Sequence, residues 1–166
     1  MKSNACRGRL TVNMIPIDEL EMCEATALQP GDIAILADLN SALVVVGKAG
    51  DDTPIAVYLH DEPGDYNYAE VRDLHGLAIR LKTATIEVDP MSAKPRGDRD
   101  AIKSGLVFGG GKVFISAFSP HQFFAVDIGD VGIREGIPRS RDILFARWRI
   151  VRAGPHGTDI LKERNG

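Results

Sequence analysis

Arg147 and Arg149 stand two residues apart in an alternating apolar run from Ile143 to Val151, and Arg139 and Arg141 precede them at the same spacing. Alternate residues of a strand share a face about 7 Å apart. Guanidinium forks at that distance can clamp a carboxylate or a phosphate between them. The four arginines are therefore a candidate anion-binding set. Alternation places Leu144, Ala146, Trp148 and Ile150 toward a core, and Phe145, Arg147, Arg149 and Val151 on the opposite side.

These arginines belong to a wider asymmetry. Residues 51–73 carry seven acids against one base, whereas residues 134–164 carry eight bases against four acids. The formal net charge of −3 thus conceals an acidic and a basic pole. Three uses of the basic strand follow: cross-strand pairing with acids on a neighbouring strand, self-assembly of acidic and basic surfaces between copies, or capture of a small anionic ligand. A nucleic-acid partner is disfavoured by the chain's pI of about 5.8, and the aromatic-basic pattern of an RNA-binding sheet is not seen.

The four histidines, His60, His75, His121 and His156, have no pair spaced two, three or four residues apart, so no local zinc or iron motif exists. The best remaining set is His60, Asp61 and His75, two imidazoles and a carboxylate suited to a divalent metal if a loop folds back on the following element. The competing reading is a solvated acidic loop. Gly111-Lys112 and Gly47-Lys48 fail as phosphate loops, since the required leading glycine is Leu106 or Ala42 and no helix signal follows. No Gly-x-Ser-x-Gly elbow is present. Cys6 and Cys23 have no ligand-type spacing and nothing nearby in sequence to activate a thiol.

The elements that must position these residues are short. The chain's 17 glycines and 9 prolines exceed the usual share and mark many turns. Leu10–Met14 alternates as a strand, and Ile17–Leu28 reads as a short helix with Asp18 and Glu21 as a capping box. Gln29-Pro30-Gly31-Asp32 is a turn with glycine where φ must be positive. Ile33–Leu36 is a strand. Ala42–Lys48 is apolar on both faces, hence a central strand, and forms a hairpin with Ile55–Leu59. Asn67 and Glu70 suggest a second short helix ending at Gly76. Leu77–Leu81 and Ile86–Val88 fall on opposite parities, which requires a break near Thr83.

Leu106–Phe108 and Val113–Phe118 flank a glycine turn, and Gln122–Ile128 pairs back through Ser119-Pro120-His121. Residues 89–104 and 129–141 read as long loops, and Ile143–Val151 as the longest strand. No internal repeat stands out. The chain reads as one domain over residues 1–166, with tails at 1–8 and 154–166.

The expected fold is mainly β: an antiparallel sandwich or barrel of about nine to ten short strands with one or two short helices. The expected function is a non-catalytic module for binding or self-assembly, acting as a homo-oligomer or on a protein partner, without cofactor. A small β-barrel enzyme using a divalent metal near His60, Asp61 and His75 is the other reading. No apolar run approaches membrane-spanning length and the basic start lacks a signal-type apolar stretch, so the expected compartment is the cytoplasm.

Overall fold

The structure, a computed structural model, describes residues 15–37, 41–59, 67–95, 106–109, 112–119, 122–127, 143–154 and 157–165. Among these the regular elements are strands and single 3-10 turns, with no α-helix. In chain order the strands are β1 (Leu20–Glu24), β2 (Ile33–Leu36), β3 (Ala42–Lys48), β4 (Pro54–Tyr58), β5 (Tyr68–Glu70), β6 (Leu77–Leu81) and β7 (Ala84–Val88). They continue as β8 (Ala93–Pro95), β9 (Leu106–Gly109), β10 (Lys112–Ser119), β11 (Gln122–Asp127), β12 (Ile143–Phe145), β13 (Arg147–Gly154) and β14 (Gly157–Asn165).

All pairings are antiparallel. The larger sheet runs β1-β6-β2-β3-β11-β10-β9-β12-β8, with β4 added to β3 and β5 to β4; the smaller one is β14-β13-β7. Among the described residues β1 and β8, the two ends of the large sheet's path, do not pair with each other, so no closed barrel forms there.

The core explains the order. Strand β3 has apolar side chains on both faces because both are covered: Val45 joins one cluster, and Val44 and Val46 the other. The first cluster gathers Ile33, Val57, Leu81, Ile115, Trp148 and Ile150, so side chains of both sheets meet in it. The second lies on the opposite face, where Ala25, Leu28, Val71 and Leu74 cover Ala34, Val46 and Ala78.

Those four covering residues belong to a unit used twice. Glu24-Ala25-Thr26-Ala27-Leu28 and Glu70-Val71-Arg72-Asp73-Leu74 each follow a strand and form a single 3-10 turn, with near-identical flanking dihedrals. Side chains three apart eclipse in a 3-10 turn, so Ala25 falls over Leu28 and Val71 over Leu74, and all four are buried. Each turn reaches a positive-φ glycine, Gly31 or Gly76, and then an Ile-Ala-Ile or Leu-Ala-Ile strand. The two strands pair about Ile35 opposite Ile79, with Ala34 opposite Arg80 and Leu36 opposite Ala78. The same local turn is thus used twice, on two strands that pair with each other.

Other expectations are also corrected. The expected helices at Ile17–Leu28 and Asn67–Gly76 are strand and 3-10 turn instead, because Glu21 and Glu70 do not cap: Glu21 pairs with Arg80 and Glu70 with Arg72. Fourteen described strands replace nine to ten; three of them, β5, β8 and β12, are three residues long and too short to show a period. The expected tail at 154–166 contains β14, a full partner of β13. Ile143–Val151 is not one strand but two, since the chain bends at Ala146 and passes from the large sheet to the small one. Its partner crosses at the same place. Ser92 seals this corner, its hydroxyl donating to Asp89 O at 2.7 Å and accepting from Arg147 N at 3.0 Å.

The Gln29–Asp32 turn, the hairpin of β3 with β4 and the breaks around Thr83, Gly109 and Ser119 stand where the sequence puts them. Leu10–Met14, the tail at 1–8 and the loop at 129–141 lie outside the described residues, as do residues 96–104 of the other expected loop; its first residues hold a 3-10 turn and β8.

Candidate functional site

Strand β13 pairs with β7 in a register that sets Arg149 opposite Glu87 and Trp148 opposite Val88. Directly opposed residues of an antiparallel pair share a face, so Arg149 meets Glu87 on the outer side while Trp148 and Val88 turn inward. The Arg149 guanidinium donates to Glu87 Oε2 through Nε at 2.8 Å and lies 2.7 Å from it at Nη2. One step along, Arg147 Nη2 is 2.7 Å from Asp89 Oδ2, and Asp89 N donates to Arg147 O. Glu163 of β14 faces Arg149 from the other side.

The resulting surface alternates in sign. A groove of about 270 Å³ is bordered by Glu87, Asp89, Arg147, Arg149, Glu163 and Arg164. Of the four candidate anion ligands, Arg147 and Arg149 are thus brought together on one face, each already opposed by a carboxylate. Arg139 and Arg141 lie outside the described residues. A second groove of about 270 Å³ lies between the two repeated turns, with Thr26, Gln29, Thr53, Pro54 and Arg72 among its walls. Both are smaller than the roughly 300 Å³ at which small-molecule pockets begin.

His75 is exposed at the end of the second repeated turn, while His60 and Asp61 lie outside the described residues. Among the described residues no three His, Cys, Asp or Glu side chains group as metal ligands would. Cys23 is a free thiol, half-buried on β1. Burial pushes its pKa up; Arg80 alone opposes this, and the carboxylates of Asp32, Glu21 and Glu24 add to the rise. A thiol held protonated is a poor nucleophile.

Two arginine centres escaped the sequence reading. Arg152 is buried to 1% exposure and holds two carboxylates, Glu19 at 3.0 Å and Asp159 at 2.6 Å. Glu19 also accepts from the Thr83 hydroxyl at 3.0 Å. Arg80 binds Asp32 at 2.9 Å, Glu21, and the carbonyl of Ala27 at 3.2 Å. Asp32 in turn accepts from Gln29 N at 2.7 Å, locking the first repeated turn. The signal for Arg152 was in reach: alternation of Trp148 and Ile150, carried one step further, puts it on the inner face.

Large apolar side chains form one further feature. Across four neighbouring strands, Met22, Ile79, Ile35 and Leu43 lie directly opposite one another in register. They share the face of the first core cluster, yet Met22 is 70% exposed and the other three are only partly buried. Leu77, 42% exposed, adjoins them on the same face of β6.

Fold and site together define a mainly β, antiparallel protein in which, among the described residues, Arg80, Arg147, Arg149 and Arg152 are each opposed by a carboxylate and Met22 and Leu77 stand exposed beside the first core cluster. The chain belongs to the family described as uncharacterised protein y4lG, whose sequence model matches residues 26–165. No curated protein and no solved structure matches it. Among the described residues no helix is long and apolar enough to cross a membrane.

Proposed function

We propose that this chain is a non-catalytic β-module for binding or self-assembly, built as an antiparallel sandwich. The sandwich reading rests on the shared cluster, in which Trp148 and Ile150 of the small sheet meet Val45, Val57 and Ile115 of the large one. The functional reading rests on one observation, the aliphatic row of Met22, Ile79, Ile35 and Leu43 with Leu77 beside it. Exposed apolar side chains at the margin of a core, here Met22 at 70% and Leu77 at 42%, support a contact site. Self-association through this row predicts a mass above that of one chain in size exclusion with light scattering, and a return to one chain on Met22→Lys with Leu77→Lys. A native chain that is monomeric at micromolar concentration removes self-assembly and leaves a different protein as the partner.

The basic strand supports a narrower version. A phosphate or carboxylate ligand at Arg147 and Arg149 has to displace Glu87 and Asp89. Raised melting temperature in phosphate or sulfate, lost on Arg147→Glu with Arg149→Glu, is the mark of such a site. The same charge reversal, if it shifts the elution volume, assigns the strand to assembly instead.

A further inference from the structure

The outer face of the small sheet carries two rows of charged side chains with a groove between them. In one row Arg149 stands between Glu87 of β7 and Glu163 of β14, its directly opposed neighbours. In the next, Arg147 has Asp89 beside it. Between the rows Val88, Trp148 and Arg164 oppose one another in the same register. Alternation turns side chains at this level to the inner face, where Val88 and Trp148 join the first core cluster. The backbone of the three strands therefore floors the groove of about 270 Å³. At a strand spacing of about 4.8 Å, the groove crosses about 10 Å of sheet.

Sign follows strand across this face: carboxylates at β7, guanidiniums on β13, a carboxylate on β14. Their engagement is unequal. Arg149 turns both Nε and Nη2 to Glu87, whereas Arg147 reaches Asp89 through Nη2 alone. Glu163 is exposed and holds no ion pair among the described residues. A simple anion placed here meets three carboxylates, and a simple cation meets two guanidiniums. A molecule bearing both charges avoids each conflict. Its ammonium answers the unspent carboxylate of Glu163. Its carboxylate takes N–H groups that Arg147 leaves over, of the five that a guanidinium offers, and Glu87 and Asp89 keep their places.

We propose that this groove binds a small zwitterion of the amino-carboxylate class, its carboxylate over Arg147 and Arg149 on β13 and its ammonium beside Glu163 on β14. The two charges of the ligand then lie one strand spacing apart, about 4.8 Å. That separation favours a β- or γ-amino acid over an α-amino acid, whose charges are closer together. The volume, below that of sites for larger ligands, suits a molecule of this size. The proposal rests on the reading of the chain as a binding module, and it names a zwitterion where the arginines alone suggest an anion.

Titration of the isotope-labelled full chain with γ-aminobutyrate at constant ionic strength tests this, with butyrate and butylammonium as its separate halves. The amides of Val88, Trp148 and Arg164 in the floor are expected to shift and saturate with γ-aminobutyrate, and with neither half. Glu163→Gln, at an exposed position, is expected to raise the Kd about tenfold, the loss of one charge-assisted contact. Unchanged resonances in β3 show that this variant is folded. An equal response to butyrate alone makes the groove an anion site, which upholds the anion reading of the basic strand and overturns the zwitterion. An equal response to butylammonium alone, or an unchanged Kd in Glu163→Gln, overturns it as well. Absence of saturating shifts with all three removes both the zwitterion and the anion reading, and leaves the aliphatic row as the contact site.

Discussion

Arg149 and Glu87 meet directly across the β13–β7 pair, two guanidinium nitrogens converging on one carboxylate oxygen at 2.8 and 2.7 Å. Arg147 is likewise opposed by Asp89 one step along the ribbon, through a single guanidinium nitrogen at 2.7 Å. An arginine so engaged offers an incoming anion less than a free one does, since the resident carboxylate must be moved first. Among the described residues of the positive pole, Arg147, Arg149 and Arg152 are each opposed by a carboxylate.

Glu87→Gln with Asp89→Asn therefore unmasks the arginines. Phosphate is expected to raise the melting temperature of this variant more than that of the native chain. The stability lost in the absence of phosphate is about 1 kcal/mol or less per pair, because both partners are partly exposed. Equal phosphate responses in the two chains refute the masking.

Gly31 and Gly50 separate backbone strain from steric fit. A Cβ at either meets nothing within 4 Å, but only Gly31 has a positive φ, at 96°. Gly31→Ala is expected to cost about 1–2 kcal/mol from the left-handed conformation alone. Gly50→Ala is expected to be neutral or to stabilise by up to about 1 kcal/mol, through a less disordered unfolded chain. Urea denaturation of the two variants checks both; equal effects would show that the Gln29–Asp32 turn tolerates an L-residue.

The contrast between what was legible and what was not follows the range of the forces involved. Ala42–Lys48 could be read residue for residue, since burial on two faces leaves no polar position before the exposed Lys48. The turn at Pro30-Gly31 was legible because φ chemistry is local. The helix expected over Ile17–Leu28 fails for the opposite reason: the capping spacing is there, but Arg80, fifty-nine residues from Glu21, takes the carboxylate; in the one expected over Asn67–Gly76 the carboxylate of Glu70 goes instead to nearby Arg72. Strand β14 reads as a tail because only Ile160 and Leu161 are aliphatic in it. It is an edge strand beside a register shift, and charges and bulges at edges oppose further pairing. For the candidate site, the pairing of Arg147 and Arg149 with a neighbouring strand was among the expected uses, but its partners Glu87 and Asp89 depend on strand order.

Arg152 links three separate pieces of chain through Glu19, Asp159 and, by way of Glu19, Thr83. Arg152→Ala leaves two partly buried carboxylates facing each other without their cation. The expected loss is about 3 kcal/mol, the low end for breaking a buried pair, as both acids keep some access to water. Glu19→Gln leaves Asp159 in place and is expected to cost about 1 kcal/mol. Denaturant midpoints measure the two; an Arg152→Ala loss no larger than that of Glu19→Gln would show that the cluster is not a hub.

Cys23 provides the pH-dependent case. Its thiol is pushed above its ordinary range by burial first, with Arg80 opposing and Asp32, Glu21 and Glu24 reinforcing. The folded state then holds the proton more tightly than the unfolded chain, so this contribution to stability is complete below the unfolded thiol pKa and declines as pH rises through the folded one. In a Cys6→Ser background, alkylation of Cys23 by iodoacetamide should still be accelerating at pH 9. Arg80→Gln removes the one neighbour that favours the thiolate and should move the curve to higher pH. A rate that levels off between pH 7 and 8 would mean an activated thiol, and would return Cys23 to the list of candidate nucleophiles.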